Sequence, residues 1–381
     1  MKTVGIICEY NPLHLGHKKQ LDRIRSQYPD GVIVCLMSGN FVQRGKPAIV
    51  DKSARAKAAI LCGADLVLEM PVTASLSSAE GFAKEGVRIL SHLCDGLCFG
   101  AETPDANALM ATAHALLSPE FTDHLRLELD KGASFPAARQ AALEKMGLSP
   151  TVLSPNDILA TEYCKAILAQ ESPMAPLVIH REGSYHDTQA HSENPSATAV
   201  RKLMLESGMW LDYVPEEIKD CFRQAALHTV SAGERAILSK LRTMTDEEFA
   251  ALPHGSEGLW RKFMHNARRF SNLEDILTAT KSKRYTRTRL DRMAICAFLG
   301  ITEEILNTPS PYVRVLALND KGRSLLRRHK EDFPFRNAGS REEDSYQALE
   351  DRCGDLYGLF ALGAPEAPGA EGARRVVYVH D

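Results

Sequence analysis

The chain has 381 residues, 44% of them apolar and 25% charged, with a formal net charge of −3. This size allows a full hydrophobic core and suggests two domains, while the near balance of charge gives no nucleic-acid signal for the whole chain. The chain has no run of the roughly 18 apolar residues that span a bilayer and no signal-peptide pattern, which excludes membrane-spanning and secreted classes and leads us to expect a cytoplasmic protein.

The first 205 residues alternate short apolar runs with helical patterns. Strands are predicted at 3–8, 31–37, 65–70, 96–100 and 177–180. Helices are predicted between and after them, at about 16–28, 53–62, 79–93, 106–117 and 156–170. Short continuous apolar runs are typical of strands that are covered on both faces. The alternation therefore predicts an α/β domain with a doubly wound parallel sheet over residues 1–206.

Beyond residue 206 the strand signals fade and helical patterns dominate. They cover about 215–226, 232–241, 257–270 and 290–299, whereas 312–318 is either a strand or a buried linker. Residues 363–375 are rich in Ala, Gly, Pro and Glu, a composition that favours flexibility. We predict a mainly helical domain at 207–362 and a flexible tail at 363–381.

A His-x-Gly-His pattern follows the first predicted strand directly. His14 and His17 lie where this strand gives way to a helix, the place where open parallel sheets bind ligands. Gly16 has no Cβ, so a phosphate or a nucleobase can approach the backbone. The free N–H groups of a helix start favour an anion, and two imidazoles on one side of the first turn can donate hydrogen bonds to phosphate oxygens. The pattern suits nucleotidyl transfer.

Two other interpretations of this pattern stay open. The histidines are also compatible with a metal site or with a polar cluster whose hydrogen bonds are satisfied within the turn. A zinc site is disfavoured because no Cys-x-x-Cys accompanies the histidines, and the closest cysteine pair, Cys94 and Cys98, has a poor metal spacing. The nine cysteines are scattered and are interpreted as reduced core residues. We predict no protein-bound metal.

Two polar segments follow other predicted strands. The loop 38–47 can carry Arg44 and Lys46 to an anion, or it is an ordinary surface loop. Gly100 ends the fourth strand, where the lack of a side chain permits close approach of adenine or ribose.

Three further positions fit a nucleotide site or a purely structural role. Asn156 starts a helix, where spacing alone favours a helix cap. Arg181 closes the fifth strand, and its guanidinium can clamp a phosphate or pair with a neighbouring carboxylate. Ser196, Thr198 and Arg201 open a helix that is either simply capped or a second phosphate-binding terminus.

The helical half contains a basic stretch. Ten basic and four acidic residues lie between 257 and 292. Phosphate contacts combined with a stacking ring are typical of RNA binding, although a charge run is often only a solvated helix face. The candidate RNA-binding residues are Lys281, Lys283, Arg284, Tyr285, Arg287 and Arg289.

The early His-x-Gly-His and the late Ser-Ala-Thr-x-x-Arg at 196–201 resemble the two signatures of the HIGH-type nucleotidyltransferase superfamily. More closely, the chain resembles the bacterial tRNA(Met) cytidine acetate ligases from residue 3 to about 320. The segments that carry this closer resemblance are EYNPLHLGH at 9–17, MSGNFVQRG at 37–45, GADLVLEMP at 63–71, PNDILA at 155–160 and RYTRTRL at 284–290.

The resemblance implies a two-step reaction. Acetate attacks the α-phosphate of ATP to form acetyl-adenylate, and the wobble cytidine, C34, of elongator tRNA(Met) then takes the acetyl group on N4. It implies ATP as substrate, Mg²⁺ carried by the ATP, and acetate and this tRNA as partners, with no membrane or protein partner evident. His14 and His17 would be catalytic. The implied ATP-binding residues are Ile7, Cys8, Glu9, Tyr10, Asn11, Pro12, Leu13, His14, Leu15, Gly16, His17, Lys18, Lys19, Gln20, Gly100, Asn156, Arg181, Ser196, Thr198 and Arg201.

The family often has Phe and Asn where this chain has Leu13 and Leu15, which leaves the contacts around Leu15 open. Two other functions also stay open at this point. A small-molecule adenylyltransferase of the pantothenate synthetase kind would keep the N-terminal motifs without needing a basic helical half. A non-catalytic nucleotide- and RNA-binding protein would keep the basic stretch without needing the histidines.

Overall fold

The apolar runs predicted as strands in the first half all lie in one sheet. The structure, a computed structural model, describes residues 2–133, 135–148, 154–180, 195–206, 208–282, 284–340 and 344–380. Its strands are β1 Thr3–Cys8, β2 Val32–Ser38, β3 Phe41–Val42, β4 Lys46–Pro47, β5 Leu66–Met70, β6 Gly96–Ala101, β7 Ala175–His180, β8 Val313–Leu318, β9 Phe335–Asn337 and β10 Val377–Tyr378.

Helices surround the sheet and build the second half of the chain. They are α1 Leu15–Gln27, α2 Lys52–Leu61, α3 Val72–Ser75, α4 Ala79–Leu90, α5 Ala106–Leu116, α6 Pro119–Asp130, α7 Phe135–Lys145, α8 Pro155–Ala169, α9 Ala197–Glu206, α10 Lys219–Arg223, α11 Val230–Thr243, α12 Asp246–Ala250, α13 Leu259–Ala267, α14 Leu273–Thr280, α15 Arg287–Leu299, α16 Glu303–Asn307, α17 Asp320–Arg328, α18 Ser345–Tyr357 and α19 Ala370–Ala373. Short 3-10 turns lie at Leu211–Tyr213, Glu216–Ile218 and Gly358–Phe360.

The main sheet has the strand order β10-β8-β5-β2-β1-β6-β7, and β9 also pairs with β8. The neighbours from β5 to β7 are parallel, as predicted, and every residue of β2 and β5 is buried. Apolar clusters lie on both faces of the sheet, which accounts for the continuous apolar runs of these strands. The predicted doubly wound α/β fold is confirmed.

The segment 312–318, which the sequence left as a strand or a linker, forms β8. It runs antiparallel to β5, with Leu66 opposite Leu318. The second half of the chain therefore contributes to the sheet as well as to a separate helical core, which is built largely by α11, α13, α14, α15 and α18. The division into domains at residue 206 remains a prediction.

The end of the chain differs from the expected flexible tail. Val377 and Tyr378 form β10, which pairs in parallel with β8. Glu371 of α19 is buried and forms ion pairs with Lys52 and Arg314. These contacts anchor a segment whose composition alone favoured flexibility. No helix in the described parts of the chain is long and apolar enough to cross a membrane.

Candidate active site

The two histidines of the early motif cap helix α1 with their own side chains. His14 is the residue before the helix, and its Nδ1 accepts a hydrogen bond from Gly16 N at 3.1 Å. In return, His14 N donates to Nδ1 of His17 at 3.3 Å. The two rings stack with centroids 3.8 Å apart. This reciprocal pair takes the place of the Ser/Thr and Glu/Gln of an ordinary capping box.

These hydrogen bonds fix the tautomer of both imidazoles. A ring nitrogen that accepts a hydrogen bond carries no proton, so each neutral ring carries its proton on Nε2. His14 is buried and His17 is half-buried, and Tyr10 packs its edge against the His17 ring at a centroid distance of 5.0 Å. The local fold thus gives both histidines the same donor atom, Nε2.

The late motif lies against the early one, although about 190 residues separate them. Arg201 Nη1 donates to the carbonyl oxygen of Asn11 at 2.6 Å, and its Nη2 donates to Thr198 Oγ1 at 3.1 Å. Ser196 Oγ accepts from Ala199 N at 3.0 Å and so caps α9. The capping interpretation of Ser196 therefore holds, and Arg201 is placed on the loop that precedes the histidines.

The backbone of that loop is held from two sides. Tyr10 is buried and has φ +44°, a left-handed conformation that costs a residue with a side chain about 1–2 kcal/mol. The carbonyl of Asn11 on one side of Tyr10 is bound by Arg201, and that of Glu9 on the other side accepts from Arg55 Nη1 at 2.7 Å. Two guanidinium groups from different helices thus flank the strained residue.

Arg55 is a residue of this region that the sequence did not identify. It is fully buried in α2 and also donates to the carbonyl oxygens of Val50 at 2.8 Å, Ser38 at 3.0 Å and Gly39. It forms no ion pair within the described residues, and burial lowers its pKa from the usual value. The only signal in the sequence was an arginine within a segment that contains four alanines, Ala54, Ala56, Ala58 and Ala59. Arg55 thus joins the carboxyl ends of β1 and β2 next to residues 9–14, which we call the histidine loop.

Asn156 lies at the start of α8, but Ser154 is the residue that caps this helix. Ser154 Oγ accepts from Asp157 N at 3.1 Å, whereas Asn156 Nδ2 donates to Glu102 Oε1 at 2.7 Å. Asp157 accepts from the backbone and hydroxyl of Thr103 at 3.0 and 2.9 Å. The helix-cap interpretation of Asn156 is therefore wrong, because its amide reaches the segment that follows β6.

Of the other candidate nucleotide residues, Lys18 and Gln20 lie on α1 and Gly100 lies in β6. Gln20 of α1 points its amide towards Cys98 of β6 at 3.8 Å. Gly100 lies two residues farther along the same strand and pairs in register with Ile179 of β7. Lys18 is ion-paired with Asp22 one helical turn away. Arg181 lies outside the described residues.

The thiols near the site are not reactive groups. Burial raises the pKa of Cys8 and Cys98, in the second case to about 12, so both remain protonated near neutral pH. All nine cysteines are free. In the described parts of the chain no group of three or more His, Cys, Asp or Glu side chains is arranged to hold a metal ion.

The basic stretch surrounds the start of α15, and several of its arginines have intramolecular partners. Arg284 pairs with Glu257 at 2.8 Å, and Arg287 binds Glu274 through two nitrogens at 2.7 and 2.6 Å. Arg287 also reaches Asp291 at 2.9 Å. The positive charge of this stretch is therefore partly neutralised by the protein itself.

Tyr285 is half-buried between this stretch and the helical core. The guanidinium of Arg289 lies over its ring at 5.2 Å, while Arg289 Nε donates to His254 O at 2.8 Å. Lys281 is exposed, and Lys283 lies outside the described residues. Tyr285 and Arg289 thus form a stacked pair at the base of α15.

Two motifs of the resemblance, at 37–45 and 63–71, meet in a buried ionic network. Glu69 of β5 accepts from Lys52 at 2.7 Å and from Arg314 at 2.9 Å. Gly39 leaves room for this carboxylate, because a Cβ there would lie 2.2 Å from Glu69 Oε1. Arg314 of β8 also pairs with Glu350 of α18 at 3.2 Å. These motif residues connect the sheet to the second half of the chain.

Comparison with known proteins also indicates a nucleotidyl transferase. The profile described as HIGH Nucleotidyl Transferase matches residues 1–366. The tRNA(Met) cytidine acetate ligase of Clostridium acetobutylicum is 36% identical over 361 residues, which cover 87% of this chain and 88% of that protein. The protein of the same name from Caldicellulosiruptor saccharolyticus is 36% identical over 356 residues, covering 88% and 86%.

Two solved structures share the whole fold. The apo crystal structure of Thermotoga maritima TmcAL has a TM-score of 0.92 at 28% identity, with 100% of both chains covered. The structure of Thermotoga maritima TmcAL bound with alpha-thio ATP has a TM-score of 0.88 at 27% identity, again with 100% of both chains covered. With its two signature segments in contact at the carboxyl edge of the sheet, the chain belongs to the HIGH nucleotidyl transferase family, among the tRNA(Met) cytidine acetate ligases.

Proposed function

We propose that this protein is an ATP-dependent acetate ligase that forms acetyl-adenylate and transfers the acetyl group to N4 of the wobble cytidine, C34, of elongator tRNA(Met). The observation that carries the proposal is the contact between the loop before His14 and the helix that bears Arg201. It gathers two imidazoles and a guanidinium at the edge of a parallel sheet where such folds bind nucleotides. The names of the relatives and the bound ATP analogue of the Thermotoga maritima structure support it.

In the first step, a carboxylate oxygen of acetate attacks the α-phosphorus of ATP. The bond between the α-phosphorus and the oxygen that bridges it to the β-phosphate breaks, and pyrophosphate leaves. Negative charge grows on the phosphate oxygens, so preorganised donors are the main requirement. His14 and His17 would supply Nε2–H donors in a fixed tautomer. Arg201, with Thr198 and Ser196 at the same helix start, would support the leaving pyrophosphate. Arg181 is assigned to the same phosphates from the sequence.

Mg²⁺ would enter with ATP as part of the substrate. Carboxylates are the protein oxygens that Mg²⁺ prefers. The carboxylate of this loop, Glu9, already accepts a hydrogen bond from Gln43 N at 2.9 Å, which fits an ion held mainly by phosphate oxygens. The ion would neutralise charge on the pyrophosphate.

In the second step, the N4 amine of the cytidine attacks the acetyl carbonyl, AMP leaves, and the amine loses a proton to give N4-acetylcytidine. A wobble base in an anticodon loop is unpaired, so little unstacking energy is required to expose it. The RNA would be held by Lys281, Lys283, Arg284, Tyr285, Arg287 and Arg289. Phosphates would compete there with exposed ion pairs such as Arg284–Glu257, which are each worth up to about 1 kcal/mol.

The test of the proposal is exchange of labelled pyrophosphate into ATP. We expect exchange that requires acetate and proceeds without tRNA, followed by acetylation of the wobble cytidine when elongator tRNA(Met) is added. Exchange with a different acid and no retention of tRNA would instead indicate a small-molecule adenylyltransferase. Absence of ATP binding would indicate a non-catalytic RNA-binding protein.

Replacing Lys281, Lys283 and Arg284 with serine should weaken tRNA binding. Each phosphate that the protein no longer neutralises should reduce the slope of log K against log salt concentration by about 0.7 on a single strand. Arg287 is left intact because its removal would also release Glu274 and Asp291 from their ion pairs and so change the charge of the stretch for a second reason. Binding is measured over a range of roughly 50 to 200 mM salt, where the release of counterions from phosphates has a large effect on affinity. An unchanged slope would mean that this stretch is a solvated face and does not bind RNA.

A further inference from the structure

The turn between β3 and β4 is pressed against the first half of helix α15. Gly45 has φ +69°, and a Cβ at this position would lie only 2.2 Å from Arg292 N. Arg292 Nη1 in turn donates to Gln43 O at 3.3 Å. The loop after β2, for which an ordinary surface loop was the alternative, is therefore a short hairpin seated on the helical half.

The same turn contacts the histidine loop on its other side. Gln43 N donates to Glu9 Oε1 at 2.9 Å, and Glu9 begins the loop that ends at His14. Gln43 also donates through Nε2 to Ser77 O at 3.3 Å. The hairpin thus bridges the start of the histidine loop and α15, the helix that begins in the candidate RNA-binding stretch.

Two basic residues flank Gly45 on this bridge. Arg44 is half-buried, and Lys46 is exposed and forms no ion pair within the described residues. Arg287 holds the pKa of Glu274 at about 2, and Lys46 contributes to lowering it. Burial raises the pKa of Asp291, and the positive charges of Arg287 and Lys46 both act against this rise. Lys46 and Arg287 therefore both lie near Glu274 and Asp291, which places Lys46 beside the first turns of α15.

We infer that the β3–β4 turn is an RNA-contact surface on which Arg44 and Lys46 bind phosphates of the tRNA strand next to the wobble nucleotide. The inference rests on the proposed function and specifies where its second substrate lies. A strand that runs from the start of α15 to the histidine loop can follow this turn, because the turn contacts α15 at Arg292 and the histidine loop at Glu9. A single-stranded phosphate backbone fits because it needs cationic groups at intervals and no deep pocket.

The test compares two pairs of substitutions. One variant carries Arg44→Ser and Lys46→Ser. The matched control carries Lys57→Ser and Lys84→Ser, which remove two exposed lysines of α2 and α4 that have no ion pair in the described structure. Because Arg44 is half-buried, the exposed change Lys46→Glu provides a second variant that does not depend on it. Thermal unfolding of each variant establishes that it is folded.

We expect the Arg44/Lys46 variant to lower the salt slope of tRNA binding by about 0.7 for each phosphate that is no longer neutralised, or ~1.4 in total. Its kcat/KM for tRNA should fall about tenfold or more, while the lysine control stays within about twofold of the unmodified protein. The kcat/KM of the Lys46→Glu variant for tRNA should also fall below that of the lysine control, because the new carboxylate repels the phosphates.

Three results would overturn the inference. The first is an Arg44/Lys46 variant and a Lys46→Glu variant that bind and acetylate tRNA as the control does, which would leave the proposed function standing. The second is an equal fall in ATP–pyrophosphate exchange without tRNA, which would place the turn in the nucleotide site. The third is failure of the unmodified protein to bind tRNA, which would remove the proposed function as well.

Discussion

His17→Ala should lower acetate-dependent ATP–pyrophosphate exchange by on the order of 10²-fold or more, the scale for losing one preorganised donor to a developing charge. The reason is that, in the proposed mechanism, Nε2–H of His17 would donate to the phosphate in the transition state. The alanine also removes the acceptor of His14 N, so part of the helix cap is lost with the ring. A loss of activity alone would therefore not separate a catalytic from a structural role.

His17→Glu separates these two roles. Glutamate is a normal partner at this position of a capping box, so its carboxylate can accept from His14 N in place of Nδ1, and it has no N–H to donate to a phosphate. We expect His17→Glu to unfold at nearly the same temperature as the unmodified protein and to lose exchange at least as fully as His17→Ala. His14→Asp serves in the same way, because aspartate is a favoured N-cap. Near-normal exchange by either capped variant would refute the catalytic assignment of that histidine.

Arg55→Met should destabilise the protein by about 3–5 kcal/mol. The change leaves the carbonyl oxygens of Glu9, Ser38, Gly39 and Val50 without their donor in a buried site, at about 1–3 kcal/mol each, offset in part because a buried charge is no longer desolvated. Urea unfolding measures the loss as a lower midpoint with an unchanged m-value.

Arg25→Met is the matched control at the opposite edge of the sheet. Arg25 also binds backbone carbonyls, those of Gly31 and Gly63, and pairs with Asp65 at 2.7 Å, but its side chain is 30% exposed. Water can replace it at the two carbonyls, and Asp65 keeps its hydrogen bonds from Ile33 N and Asn319 Nδ2, so we expect a smaller loss than at Arg55. Equal losses at Arg55 and Arg25 would show that burial of the carbonyls does not determine the cost.

The sequence predicted those strands of the sheet that are short, continuous apolar runs. The predicted segment 3–8 coincides with β1, and the segment 65–70 differs from β5 by one residue. The pairing of β5 with β8 was not predictable, because these strands are about 250 residues apart and an apolar run carries no information about its partner. Composition likewise gave no indication that Glu371 is buried among Lys52 and Arg314.

The candidate site was predictable in its residue types and only partly in their geometry. The spacing of His14 and His17 placed both rings on the first turn of α1, but histidine is an unusual capping residue, so the reciprocal cap was not foreseen. The basic stretch was recognised from its charge. Its neutralisation by Glu257 and Glu274 depends on tertiary contacts across 27 and 13 residues of sequence, as the pairs with Arg284 and Arg287 show.

Strand β8 comes from the second half of the chain, yet it covers the edge of β5 in the sheet of the first half. β5 is buried along its whole length between β2 and β8. A fragment ending at residue 206 would turn β5 into an open edge with unpaired backbone groups, a template for self-association. It would also leave the carboxylate of Glu69 without Arg314. We therefore expect a fragment that ends at residue 206 to self-associate and not to fold as a stable monomer.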